Sequence, residues 1–210
     1  MRVIVVSPGY RYVREAPPPV VRRARQKWHS EFGVNLRVEG IALGHAGAAE
    51  GAGMYGAGFS LRYRPVPAFA FDAGLDILGG RDYNGFDRKE TPFSVSGIVF
   101  VNPRSRAQFY LMGGMHFSHA KAKSDQESPL LKRDAEEGGF SAEYSYFGGQ
   151  GGAGLEFRLS RHLALNVDAL GFIRHRTNDS ERPEFIEPET GKTTTNSAGG
   201  VFRGGLTFWW

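Results

Sequence analysis

The sequence predicts an all-β fold: an eight-stranded antiparallel up-and-down transmembrane β-barrel that follows a disordered N-terminal leader. Three observations predict it. From residue 31 onward, eight runs of residues alternate between apolar and polar side chains. Short turns and longer polar loops alternate between these runs. The apolar faces of the runs comprise 42 positions without one Asp, Glu, Lys or Arg, although 23% of the chain is charged.

Composition and charge exclude several classes of protein. The absence of cysteine excludes disulfides, thiol nucleophiles and Cys-ligated metals. Residues 1–28 carry seven Arg and Lys against Glu15, a net charge of +6, which leaves −2 for the remainder of a chain whose total is +4. The basic character therefore belongs to one segment and does not predict nucleic-acid binding. We interpret residues 1–29 as a basic, Pro-rich periplasmic leader and residues 30–210 as the barrel.

The first four runs end at recognisable turn or loop residues. Their apolar faces extend from Phe32 to Val38, Tyr55 to Tyr63, Phe69 to Ile77 and Phe93 to Val101. A Gly- and Ala-rich loop follows the first run, prolines end the second, a polar loop at 79–90 follows the third, and an Asn-Pro turn ends the fourth.

The last four runs continue the pattern. The fifth runs from Ala107 to Ser118, and the polar insertion 119–141 follows it, with Ser128-Pro129 suited to start one helical turn. The sixth and seventh runs, 147–159 and 163–174, are joined by a short turn. A polar loop at 175–195 leads to the eighth, which ends at Trp210.

The connections predict the orientation. Short turns follow the even runs and longer loops follow the odd ones, as in outer-membrane barrels with periplasmic turns and extracellular loops. We therefore expect the outer membrane of a Gram-negative cell, with both termini in the periplasm.

The face opposite the apolar one predicts a polar lumen. Eight strands leave room only for side chains, so we expect the charges there to interlock as ion pairs. This predicted luminal network consists of Arg37, Glu39, Arg62, Asp72, Asp76, Glu156, Arg158, Asp168, Arg174 and Arg203.

Aromatic residues near the ends of the runs predict two interfacial girdles. One set lies at the turn ends: Tyr63, Phe69, Phe157, Phe208 and Trp210. The other lies at the loop ends: Tyr55, Phe93, Phe117 and Tyr144.

From about residue 30 to 210, these runs and the final Phe208-Trp209-Trp210 resemble the OmpA-like and OmpX-like family of small outer-membrane barrels. The resemblance implies a monomer embedded in outer-membrane lipid, with a terminal strand that is read by the barrel-assembly machinery. It also implies a structural, adhesive or protective role, with contacts to an extracellular partner through the loops.

His116-Phe117-Ser118 is the most suggestive catalytic fragment, since it resembles the His-x-Ser pair of the outer-membrane lipid A deacylase. The register turns His116 and Ser118 inward, so we interpret them as a polar luminal pair and expect no enzyme. The remaining histidines are scattered, so we expect neither a metal nor another cofactor. Two alternatives stay open: a lipid A-modifying hydrolase that uses His116 and Ser118, and a soluble ligand-binding β-barrel.

Overall fold

A computed structural model describes residues 29–44, 52–82, 85–124, 140–178, 185–186 and 193–210. The strands are β1 (Glu31–Gly44), β2 (Gly53–Val66), β3 (Phe69–Arg81), β4 (Asp87–Phe100), β5 (Ala107–Ser124), β6 (Phe140–Arg158), β7 (Leu163–Arg176), β8 (Phe185–Ile186), β9 (Thr193–Thr194) and β10 (Asn196–Trp209). Among these residues, no helix is long and apolar enough to cross a membrane.

Eight of the strands form a closed antiparallel barrel. β1 to β7 pair in chain order, and β10 closes the sheet between β7 and β1, while β8 and β9 pair only with each other. The predicted eight-stranded antiparallel barrel is therefore confirmed. The leader 1–28 and the short helical turn expected near Ser128 lie outside the described residues.

The stagger of the strands follows from their register. A row of directly paired residues that starts at Gly97 on β4 crosses each strand in turn and returns to β4 at Asp87, ten residues away. A stagger of this size tilts the strands by about 40° from the barrel axis. One row of neighbours therefore climbs from Gly97, near the turn end of β4, to Asp87 at its loop end.

The two faces of the sheet have opposite chemistry. Among the residues that the structure describes, thirty large apolar side chains are exposed on the outside. Arg62, Asp76, Glu156 and most other polar strand residues are buried inside. A soluble barrel has the reverse arrangement, so the fold is suited to an apolar surrounding.

The loop-end boundaries in the sequence interpretation were wrong. The expected loop 79–90 shrinks to the connection between Arg81 and Asp87, and the expected loop 119–141 shrinks because β5 extends to Ser124 and β6 begins at Phe140. The outward positions of these strand ends are polar or small, so the apolar half of the alternation stops before the strand pairing does.

Candidate functional site

The lumen contains most of the residues that were expected to interact, and its turn-end half is built around Arg37. The Arg37 guanidinium donates to both carboxylate oxygens of Asp76, at 2.7 and 2.5 Å, and lies 3.6 Å from Asp72. All three side chains are almost fully buried. One arginine from β1 thus binds two carboxylates from β3, over the intervening strand β2.

Two glycines make room for this pair. A Cβ atom on Gly74 would lie 2.3 Å from Arg37 Nη2, and one on Gly58 would lie 1.9 Å from Asp76 Oδ1. No other residue type fits at either position without displacing the ion pair.

Arg62 extends the network toward the turns. Its Nε donates to Asp72 at 2.7 Å, and its Nη1 lies 3.6 Å from Glu156. Glu156 in turn accepts from Arg158 at 2.8 Å, and Arg158 also binds Glu31 at 2.8 Å. These side chains link β2, β3, β6 and β1 at the turn end of the lumen.

A separate pair, Arg203 and Glu39, joins β10 to β1 at 2.6 Å. The expectation for Asp168 differs from the structure, because its carboxylate accepts a hydrogen bond from the Tyr110 hydroxyl rather than binding an arginine. The sequence does not single out Tyr110, because a tyrosine on the polar face is equally consistent with a side chain that only fills the lumen.

An uncharged cluster that the sequence did not single out lies beside the network. Asn35 donates to Asn166 at 2.8 Å and to Thr207 at 3.0 Å, and Thr207 also accepts from Arg62 at 3.2 Å. Amide and hydroxyl residues are common on the polar faces of strands, so the sequence does not distinguish these three. They meet because closure of the barrel places β1, β10 and β7 side by side.

Above the network, the lumen is filled by apolar side chains. Met54, Leu78, Leu170, Phe172 and Val201 are buried and belong to one packed cluster. We call this group the apolar layer. It separates the turn-end network from a second polar group near the loops.

That second group is the loop-end cluster of Arg88, Glu90 and Arg174. Glu90 binds Arg174 Nη1 and lies 2.9 Å from Arg88 Nη2, while Arg174 Nε donates to Ser197 at 2.6 Å. Both guanidinium groups lie over the Tyr146 ring, Arg174 at 4.2 Å. Arg174 was expected in the lumen, whereas Arg88 and Glu90 were assigned to a loop.

His116 and Ser118 face the lumen and are buried. The His116 ring packs edge-on against Phe172 at 5.7 Å, and among the described residues no hydrogen bond joins it to Ser118. Phe117, between them, faces outward. An acyl chain on the outer wall therefore cannot reach the pair. Within the same residues, no group of three or more His, Asp or Glu is placed to hold a metal ion.

The girdle residues lie at both ends of the outer face, with two exceptions. Tyr55 and Tyr63 are eight residues apart on β2. At about 3.3 Å per residue and about 40° of tilt, that places them about 20 Å apart along the axis, close to the apolar band of about 25 Å. The others on the outer face are Phe93, Phe117, Phe157, Phe208 and Trp210.

The first exception is Phe69, which is half-buried against Phe71. The second is Tyr144, whose assignment to the girdle was wrong. It points inward, is 3% exposed and carries the Arg176 guanidinium over its ring at 5.0 Å. The alternation runs unbroken through β6, so its even positions all face inward.

This closed, outwardly apolar barrel matches a known family. The model of the outer membrane protein beta-barrel domain matches residues 21–201. The chain belongs to this family. The expected resemblance to small outer-membrane barrels is thus confirmed, and the family assigns the protein to the outer membrane.

Solved members of this fold are similar over nearly their whole length. A major outer membrane protein from Thermus thermophilus is 13% identical, with a TM-score of 0.55 and coverage of 86% of this chain and 99% of that one. Ail, the attachment invasion locus protein of Yersinia pestis, solved with the heparin analogue sucrose octasulfate, is 14% identical, with a TM-score of 0.51 and coverage of 87% and 100%. OprG from Pseudomonas aeruginosa is 11% identical, with a TM-score of 0.50 and coverage of 86% and 96%.

At these identities the likeness concerns the fold alone. No curated protein matches the sequence.

Proposed function

We propose that this protein is a monomeric, non-enzymatic outer-membrane barrel with a closed lumen, and that it acts through contacts made at its loop end. The observation that supports the proposal is the filling of the lumen. Ion pairs close the turn end, the apolar layer closes the middle, and the loop-end cluster stands above it. A lumen filled in this way leaves the outer wall and the loop end as the surfaces available to other molecules.

Two measurements test the closed barrel. In a detergent micelle the unheated protein should migrate faster on an SDS gel than the boiled protein, because a closed sheet resists SDS. In planar bilayers it should show no ohmic conductance at either polarity. Steady single-channel currents would contradict the closed lumen, and folding as a monomer in detergent-free buffer would contradict the membrane assignment.

We propose further that the turns and both termini face the periplasm. The absence of cysteine allows single labels. Lys123 lies at the loop end of β5, and Ser105 lies in the turn before it; both are exposed. In intact cells an impermeant maleimide should label Lys123→Cys but label Ser105→Cys only after permeabilisation. The opposite labelling pattern would contradict this orientation and place the turns outside the cell.

The absence of catalysis is tested at Ser118. Expression of the protein should leave the acyl chain content of lipid A unchanged, and Ser118→Ala should behave identically, because the side chain faces away from lipid. A loss of acyl chains that depends on Ser118 would establish the hydrolase instead.

The terminal strand is the proposed contact for the barrel-assembly machinery. Phe208 on β10 and Trp210 directly after it present exposed rings that a second protein can bind. Replacing both by serine should slow insertion in cells more than spontaneous folding into detergent. Equal slowing in both settings would show that the rings serve only the folded barrel.

A further inference from the structure

A group of cations projects outward from the loop ends of three neighbouring strands. Arg81 on β3, Lys89 on β4, and Lys121 and Lys123 on β5 are all exposed. We call these four residues the cationic collar. Arg81 is paired in register with Asp87, Asp87 with Lys123, and Lys89 with Lys121. The collar therefore forms two adjacent rows across the sheet.

The collar is neutralised only in part by its own surroundings, because one exposed carboxylate, Asp87, stands in the row between Arg81 and Lys123. Lys121 binds Glu143 at 2.7 Å. Within the part of the chain that the structure describes, Arg81, Lys89 and Lys123 form no ion pair. Lys89 and Lys121 also stand directly opposite each other on the same face, an arrangement that destabilises a sheet. Such a pairing is favourable when an anion lies between the two ammonium groups.

A groove on the outer wall begins beside the collar. It has a volume of about 960 Å³, and its outward-facing lining includes Gly40, Ala42, Gly53, Gly79 and the Tyr55 ring. Arg81, Asp87 and Lys89 line its outer end, two cations and one carboxylate. A Cβ atom on Gly40 or Gly79 would meet nothing within 4 Å, so these two glycines are not required by internal packing. Because these positions have no side chain, the floor of the groove lies at the level of the backbone.

The height of the collar corresponds to lipid headgroups. Phe93 and Phe117, paired on β4 and β5, belong to the loop-end girdle, and Lys89 and Lys121 lie four residues further along the same strands. At the rise and tilt of these strands the collar stands about 10 Å beyond the aromatic rings. Cations at this level are placed to contact lipid phosphates. The groove connects them to the Tyr55 ring of the girdle, which is paired with Gly40 and Gly79 of the groove floor.

We propose that the collar and groove form a docking site for the phosphorylated glycolipid of the outer leaflet, lipopolysaccharide. The collar binds the phosphates of the disaccharide, and one acyl chain lies along the glycine floor beside Tyr55. Three strands span about 10 Å, which suits two separated phosphate monoesters better than one phosphodiester. The inference rests on the proposed function, since it requires the loop end to face outward.

The test measures lipid binding to the purified barrel. Lipopolysaccharide is titrated into protein in a zwitterionic detergent with EDTA, and the apparent Kd is taken from the rise in the unfolding temperature. The variant is Arg81→Gln/Lys89→Gln/Lys121→Gln. The matched control is Arg104→Gln/Arg106→Gln/Arg161→Gln, which removes three exposed cations from the turn end. Gel migration confirms that both variants fold.

The collar variant should weaken binding about 100-fold, since each cation contributes about a factor of five, and the control should stay within threefold of the wild type. Lipid A stripped of its phosphates should bind the wild type as weakly as intact lipid binds the collar variant. Equal binding by wild type and collar variant, or an equal loss in the control, would overturn the site. Equally tight binding of phosphatidylglycerol would overturn the choice of lipid.

Cysteine labelling separates this inference from the proposed orientation. Labelling of Lys123→Cys in intact cells together with absent lipopolysaccharide binding would refute the docking site and leave the orientation standing. Failure to label Lys123→Cys in intact cells would refute both, because the collar would then face the periplasmic leaflet.

Discussion

Replacing Gly74 by alanine tests the most buried part of the luminal network. The new Cβ atom would lie 2.3 Å from Arg37 Nη2, and ordinary van der Waals contact begins at 3.4 Å. The guanidinium must therefore move by about 1 Å, which disturbs its 2.5 Å contact with an Asp76 oxygen. The backbone around Gly74 cannot yield instead, because β3 is paired on both sides.

The cost follows from what the shift leaves behind. Breaking a buried ion pair typically costs about 3–5 kcal/mol, since a charge remains without its partner. The contact between Arg37 and Asp72 at 3.6 Å offsets part of this loss. The lower chain entropy of alanine in the unfolded state returns about 0.4–1 kcal/mol. We expect Gly74→Ala to lower the free energy of unfolding by about 2–3 kcal/mol.

Urea unfolding in phospholipid vesicles measures this difference. Gly204→Ala on β10 is the matched control, because a Cβ atom there meets nothing within 4 Å, and its stability should equal or slightly exceed that of the wild type. The double variant Arg37→Met/Asp76→Leu has no ion pair to displace. In that background, Gly74→Ala should lower the free energy of unfolding by at least about 1 kcal/mol less than it does in the wild type. A Gly74→Ala protein as stable as the wild type would refute the geometry of the pair.

Three further predictions concern other parts of the barrel. Arg203→Gln leaves Glu39 buried without its partner and should lower the free energy of unfolding by about 3–5 kcal/mol, whereas adding Glu39→Gln should recover part of the loss in the same urea assay. A double-mutant cycle of Phe117→Ala and Phe147→Ala, whose ring centroids are 4.8 Å apart, should give a coupling energy of about 0.5–1.5 kcal/mol, and additivity would contradict the contact. Phe172→Ser places a hydroxyl in the apolar layer and should produce measurable bilayer conductance, and continued absence of current would show that the ion pairs alone close the lumen.

Much of the fold could be predicted because a lipid-facing sheet repeats one rule at every second residue. From Phe32 to Phe208, the outward positions are apolar wherever the membrane contacts them. The strand count, the closure and the inward face of Arg37 and Arg174 all follow from that rule.

The rest could not be predicted because the rule stops outside the membrane. Arg88 and Glu90 continue β4 where neither face contacts lipid, so alternation no longer distinguishes strand from loop. The sequence also could not predict which charged residues form ion pairs within the lumen. Which side chains meet depends on the stagger of ten residues, and it is this geometry that brings Asp168 to Tyr110. The cationic collar was missed for the same reason, since Lys89 and Lys121 are 32 positions apart in the chain and meet only through the extended β4–β5 pairing.

The pairing of Arg203 with Glu39 constrains the order of assembly. These residues are separated by 164 positions and belong to the first and last barrel strands, as do Asn35 and Thr207. An open sheet in hydrocarbon would expose two lone charges together with the unpaired backbone edges of β1 and β10, each at a cost of several kcal/mol. Hairpins of this chain therefore cannot insert into the bilayer one after another and persist there as an open sheet. The first and last strands must meet while the sheet is still entering, so insertion and closure form a single concerted event.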